Sequence, residues 1–185
     1  MFIDPAQFGF AQTLAASWRE IRAECQALPA DAYDPWVQRE MYGDGWSVYG
    51  LIAFGTPVDA ALARCPSTAA ALAAVPHLTT AGFSRLAPGA HIEPHVGWVT
   101  TVYRAHLGLV VPPDCALRVG DETRAWREGE TLIFDDTTEH EAWNRSRESR
   151  IVLLFDFVRP GCEGQPADDP PPEVRALVDR RTRPS

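Results

Sequence analysis

Two histidines stand at opposite ends of a strand-rich stretch, His95 in Pro94-His95-Val96-Gly97 and His140 in Glu139-His140-Glu141, and Arg150 follows the second. Imidazoles carried on separate strands can pinch a divalent metal, and a guanidinium nearby can grip the carboxylate of a molecule that chelates that metal. Histidine is scarce, five residues in all, and His91, His95 and His106 crowd together before His140. Any one of them alone reads most simply as a hydrogen-bonded strand residue; the group is what points to a site. Two ligand sets are open. His91-Ile92-Glu93 with His140 is an HxE…H facial triad for non-haem iron, whereas a set starting at His95 meets Gly97 at the third position and leaves that place to water. Pro94 removes a ladder donor and weakens the assumption of a straight strand there.

The elements that must position these groups come in two textures. Asp4-Pro5 can cap and start a helix, with Ala11, Leu14, Trp18, Ile21 and Cys25 as its apolar stripe and Pro29 as its stop. Tyr33 to Gly45 is an aromatic-rich connection able to line a pocket. Ser47 to Phe54 reads as a strand, Thr56-Pro57-Val58-Asp59 as a helix start, and the alanine-rich Ser67 to Val75 as a second short helix. From Thr80 onward short β-like runs alternate with turn residues, the spacing of a sandwich or jelly roll. Val102 to Val111, Thr131 to Phe134 and Ile151 to Val158 are its core strands, and Glu122 to Arg127 an outer arm. Beyond Gly161 lies a Pro/Asp-rich linker with a last amphipathic turn or two through Val174, Leu177 and Val178.

The chain has 185 residues, 45% of them hydrophobic, enough for a core of ordinary domain size. We expect one unit over 1–160, with a helical and aromatic N-terminal region over 1–79 and a jelly-roll core over 80–160, followed by a linker and short helix over 161–185. A formal charge of -8 and a pI near 5.1 argue against nucleic acid as a partner. Cys25, Cys65, Cys115 and Cys162 are far apart and form neither a zinc knuckle nor a disulfide framework. No basic leader or membrane-spanning run is visible, so no membrane insertion and a cytoplasmic location are expected.

The segments Pro94-His95-Val96-Gly97, Tyr103-Arg104-Ala105-His106-Leu107-Gly108, Gly129-Glu130-Thr131-Leu132-Ile133-Phe134-Asp135-Asp136 and Glu139-His140-Glu141-Ala142-Trp143 resemble the aspartyl/asparaginyl β-hydroxylase family of 2-oxoglutarate- and Fe(II)-dependent oxygenases. The resemblance implies a mainly β fold, a double-stranded β-helix of cupin-like jelly-roll type, buttressed by N-terminal helices. It implies iron held by His95 and His140 with Gly97 where relatives carry a carboxylate, which makes the HxE set the runner-up. It also implies 2-oxoglutarate held at Ser84, Arg104, His106 and Arg150, with contacts near Leu86 and Val152, and O2 as the oxidant, with succinate and CO2 as co-products. Asp135 and Asp136 are candidates to orient an imidazole, or plain turn residues.

The pattern departs from the family at one place. Members that hydroxylate aspartyl or asparaginyl residues carry an arginine two positions before the one matching Arg104, where this chain has Val102. A small or carrier-tethered substrate, amino-acid-like or a lipid acyl chain, is therefore expected. Trp46, Trp98 and Val102 are candidates to touch it, with Trp36, Tyr42 and Tyr103 as further aromatic options. Rival readings are a halogenase using the place Gly97 leaves, a non-catalytic cupin-like domain that binds a small acid, and a two-histidine zinc or manganese isomerase. Oligomeric state is not legible.

Overall fold

The computed structural model describes residues 1–165 and 169–182. The expected C-terminal linker therefore lies partly outside the described residues. In chain order the strands are β1 Phe2–Ile3, β2 Asp34–Pro35, β3 Trp46–Ala53, β4 Thr56–Pro57, β5 Leu78–Leu86, β6 His91–His95, β7 Val102–Val110, β8 Cys115–Val119, β9 Glu122–Ala125, β10 Thr131–Phe134, β11 His140–Asn144 and β12 Arg150–Val158. The helices are α1 Phe10–Ala27, α2 Asp59–Arg64, α3 Pro66–Leu72 and α4 Pro172–Thr182. An eight-stranded sheet runs β1-β10-β7-β12-β5-β3-β2 with β4 on β3, and a four-stranded sheet runs β6-β11-β8-β9. This is the expected jelly roll.

Alternation along β12 shows how one sequence run serves two layers. Leu153, Phe155 and Phe157 point to the helical side and are almost fully buried there with Leu14, Ile21 and Cys25 of α1. Val152, Leu154 and Asp156 point the other way, between the sheets. Each buried Leu or Phe contributes about 1.5–3 kcal/mol, so the α1 face anchors the large sheet. Phe10 meets Phe157 edge-on at 4.9 Å, adding a directional aromatic contact.

Two helix starts differ from expectation. Asp4 caps only a 3-10 turn over Pro5–Gln7, its side chain accepting from Ala6 N at 3.0 Å, and α1 begins later, at Phe10. Thr56-Pro57 does not open a helix. It pairs with Ala53 and Ile52 as β4, and α2 starts at Asp59. A proline is tolerated in β4 because that strand lies at an edge. Leu28 is extended before Pro29 and ends α1 as expected. The C-terminal stripe forms a full helix, and Val174 and Leu177 are buried.

Candidate functional site

His95 and His140 are brought together by a bulge. On β11, His140 and Ala142 face the space between the sheets while Glu141 faces out. Across the ladder His140 pairs with His95 and Ala142 with Ile92, so β6 spans three residues where β11 spans two. The extra residue, in Glu93-Pro94, swings His95 to the inner face; without it His95 would share the outer face with His91. The two rings lie 4.1 Å apart, centroid to centroid.

Backbone carbonyls set both tautomers. His95 Nδ1 is 2.7 Å from Glu93 O and His140 Nδ1 is 2.9 Å from Thr138 O. Carbonyl oxygens only accept, so each Nδ1 carries its proton and each Nε2 keeps a lone pair. Burial lowers the pKa of both, that of His140 to about 3 with the neighbouring His95 adding to the effect. Burial thus favours the neutral form of both imidazoles.

His91 and Glu93 lie elsewhere. His91 Nε2 is 2.7 Å from Glu141 Oε2 on the outer face, where Arg118 also binds Glu141. The HxE set is thus not assembled with His140.

Asp136 stands beside the pair. It is 1% exposed, and its carboxylate lies 3.3 Å from His140 Nε2 and 2.7 Å from Arg104 Nη1. A methyl group at Gly97 would overlap that carboxylate, and Gly97 N donates to Asp136 O at 2.8 Å. Gly97 is therefore required by the packing of Asp136. Arg104 is further gripped by Asp156 through Nε at 2.8 Å and Nη2 at 2.9 Å, so its charge is matched by two carboxylates. Burial opposes that charge, but Asp136 and Asp156 together outweigh burial and hold the Arg104 proton still more firmly. Asp156 was missed in the sequence, although one carboxylate within Ile151-Val152-Leu153-Leu154-Phe155-Asp156-Phe157-Val158 is a signal of a buried partner.

Arg150 is the opposite case. It is 1% exposed, and burial lowers its pKa to about 10, with no carboxylate of the described residues to offset the cost. Its guanidinium sits 4.5 Å from the Trp126 ring, Nη1 donates weakly to Ser84 O at 3.4 Å, and Nε has no partner. His106 is also incomplete. Trp126 Nε1 donates to its Nδ1 at 3.3 Å, which leaves the proton on Nε2, and that atom is buried without a partner. Burial, reinforced by Arg150 and Arg104, keeps His106 neutral. Ser84 Oγ accepts from Trp46 Nε1 at 3.0 Å, leaving its own proton for another acceptor. His95, His140, His106, Arg150, Ser84 and Trp46 all line one cavity of about 30 Å³.

A second, larger groove of about 210 Å³ adjoins it, sharing His95, Arg104, Ser84 and Trp46. Trp36, Trp98, Gly50, Gly82 and residues of α4 line it. Val152 is fully buried on the inner face of the large sheet. Val102 is buried at the end of β7 and lines neither cavity nor groove.

Residues 15–160 match the aspartyl/asparaginyl beta-hydroxylase family. The chain belongs to that family. It is 37% identical over 168 residues to the ornithine lipid ester-linked acyl 2-hydroxylase of Rhizobium tropici, covering 85% of this chain and 60% of that protein. It is 32% identical over 169 residues to human aspartyl/asparaginyl beta-hydroxylase, covering 84% of this chain and 22% of that protein. The chain thus spans less than two thirds of either relative. Among solved structures it is similar to a prolyl-4-hydroxylase of Pseudomonas putida, with TM-score 0.52, 20% identity and coverage of 80% of this chain and 88% of that one. That likeness concerns the fold. No helix among the described residues is long and apolar enough to cross a membrane.

The donor set fits the metal that this family implies only in one form. Among the described residues no cluster of three or more His, Cys, Asp or Glu could hold a metal. Two imidazole Nε2 atoms are what the cavity offers, beside a carboxylate that Arg104 already holds. A metal here would need most of its ligands from water or from a chelating small molecule, and Arg150 Nε and His106 Nε2 are buried polar atoms left without partners.

Proposed function

We propose that this chain is a 2-oxoglutarate- and Fe(II)-dependent hydroxylase acting on an unactivated C–H of a small or carrier-tethered substrate that presents an apolar chain. The observation that carries it is the shared cavity: two imidazole lone pairs at one wall and a buried, anion-free Arg150 with the unsatisfied His106 N–H at another. A dicarboxylate that chelates a metal meets both demands at once.

When bound, Fe(II) supplies the oxidising chemistry with O2, which converts 2-oxoglutarate to succinate and CO2 as hydroxyl enters the substrate. His95 and His140 hold the metal through Nε2, their rings fixed by the carbonyls of Glu93 and Thr138. Arg150, His106 and the Ser84 hydroxyl bind and orient one carboxylate of the co-substrate. Arg104 reaches a carboxylate of the co-substrate only by exchanging Asp156 or Asp136, so we place it as the group that fixes Asp136 beside the pair.

Two features favour an apolar substrate. The groove that opens on His95 is walled mostly by aliphatic and aromatic side chains. The Rhizobium tropici relative is named for hydroxylating an acyl chain. Hydroxylation is preferred to halogenation because the Asp136 carboxylate fills the space beside Gly97 and its charge opposes a halide there.

The test is an anaerobic titration of metal-free protein with Fe(II) and then 2-oxoglutarate, following the visible charge-transfer band of the chelated complex. The band is expected in the parent protein and in Glu93→Ala, and absent from His95→Ala. A parent protein with no band would overturn the proposal.

A further inference from the structure

The inner face of the large sheet carries its side chains in rows across the strands. One row runs His106, Leu154, Gly82, Gly50, through the pairs His106–Leu154, Leu154–Gly82 and Gly82–Gly50. The next row runs Val152, Ser84, Val48. Two facing glycines therefore interrupt an otherwise filled surface and leave a trough, which runs from Leu154 towards the edge of the sheet at β3 within the groove that His95 also lines.

The two glycines are there for different reasons. A Cβ on Gly82 would lie 2.7 Å from Tyr49 O, so the backbone itself demands glycine. A Cβ on Gly50 would meet nothing within 4 Å. Gly50 is exposed in a strand whose backbone accepts any residue, and β-strands disfavour glycine. The β3–β5 register shifts just after Gly50, yet its φ lies outside the left-handed region and a Cβ there would meet open space; that space is the groove, on whose wall Gly50 lies, and a side chain there would narrow it. The opposite wall is α4, which turns Val174, Leu177 and Val178 into the same space.

We infer that the trough between Gly82–Gly50 and α4 is a hydrocarbon-chain subsite, and that Gly50 sets how long a chain it accepts. The occupant is an unbranched aliphatic chain, because the trough is a gap of two side chains in one row, ended by Leu154 and bordered by Val48 of the next row, and α4 brings valine and leucine to the same groove. The inference rests on the hydroxylase reading for what happens at the near end of the chain, but binding in the trough requires no metal.

The test is a fluorescence titration of the metal-free 185-residue chain with straight-chain N-acylglycines of increasing length, using Trp36, Trp46 and Trp98 beside the groove as reporters. The head group is constant, so the trend belongs to the chain. Affinity of the parent is expected to rise about fourfold per added methylene and then level off where the trough ends. Gly50→Leu is expected to level off at shorter chains while binding the shortest ones within about twofold of the parent. Should Gly50→Leu not fold, Gly50→Ala adds one methyl to open space and is expected to cost the longest chains about fourfold. A parent affinity that ignores chain length would overturn the subsite, and an unchanged levelling-off point in the Gly50 variants would overturn the gauge. Either failure leaves the charge-transfer band intact, whereas loss of the band in the parent leaves the chain-length trend intact.

Discussion

Arg150→Met is expected to act in opposite directions on the empty and the loaded protein. Removing a buried guanidinium that has no anion should raise the stability of the ligand-free form, by about 1–3 kcal/mol in urea unfolding, because Nε is unsatisfied and burial opposes the charge. The same change should weaken 2-oxoglutarate binding about tenfold or more in the titration described above. Gly97 gives a second residue-level prediction. Gly97→Ala should destabilise the protein by about 1–3 kcal/mol through overlap with Asp136, and the loss should shrink in an Asp136→Ala background, read as a non-additive shift in urea midpoints. That His95, His140, His106 and Arg150 come together was legible in the sequence through motif order, and all four line one cavity. Asp156 and Trp126 were not, because their partners Arg104, His106 and Arg150 reach them across strands far apart in the chain.

At the level of elements, the bulge in β6 decides whether a site exists. Deleting Pro94 should restore plain alternation, turn His95 to the outer face and abolish the Fe(II) and 2-oxoglutarate band, while thermal unfolding stays cooperative because β6 lies at an edge of the small sheet. Pro94 hinted at an irregular strand, but the register against β11 that makes the irregularity useful is a pairing fact. The same limit explains Thr56-Pro57. Its local chemistry suits a helix start, and pairing with β3 overrides it. Strands β7, β10 and β12 were readable because burial on both faces leaves a mostly apolar run, broken only at Arg104, His106, Thr131, Arg150 and Asp156.

Glu24 of α1 ties two elements together: its carboxylate accepts from Ser67 N at 2.6 Å, Thr68 N at 2.8 Å and Thr68 Oγ1 at 2.6 Å and so caps α3. Burial pushes its pKa up, but these hydrogen bonds outweigh burial and leave it below the usual carboxylate value of 4.5. Its contribution is complete above that value and is lost as pH falls through the lowered pKa. Glu24→Ala should cost about 1 kcal/mol at neutral pH, with the gap from the parent closing in acid.

For the whole molecule, the two cores divide the labour. One joins the helices to the outer face of the large sheet, the other fills the space between sheets, and α4 belongs to neither. Removing residues 161–185 should therefore leave cooperative unfolding in place while uncovering the groove, seen as increased fluorescence of an apolar dye that long-chain N-acylglycines displace. The jelly roll was legible from turn spacing and the C-terminal stripe from its apolar residues. Where that stripe docks depends on two glycines in other strands and could not be read locally. The lone guanidinium of Arg150 has a consequence beyond catalysis. On the proposed function, a co-substrate at a hundred times its Kd favours the folded form by about 2.7 kcal/mol, and proteases degrade molecules that open. Cellular lifetime of the protein would then track the supply of 2-oxoglutarate, so that its abundance would report the co-substrate before any turnover occurs.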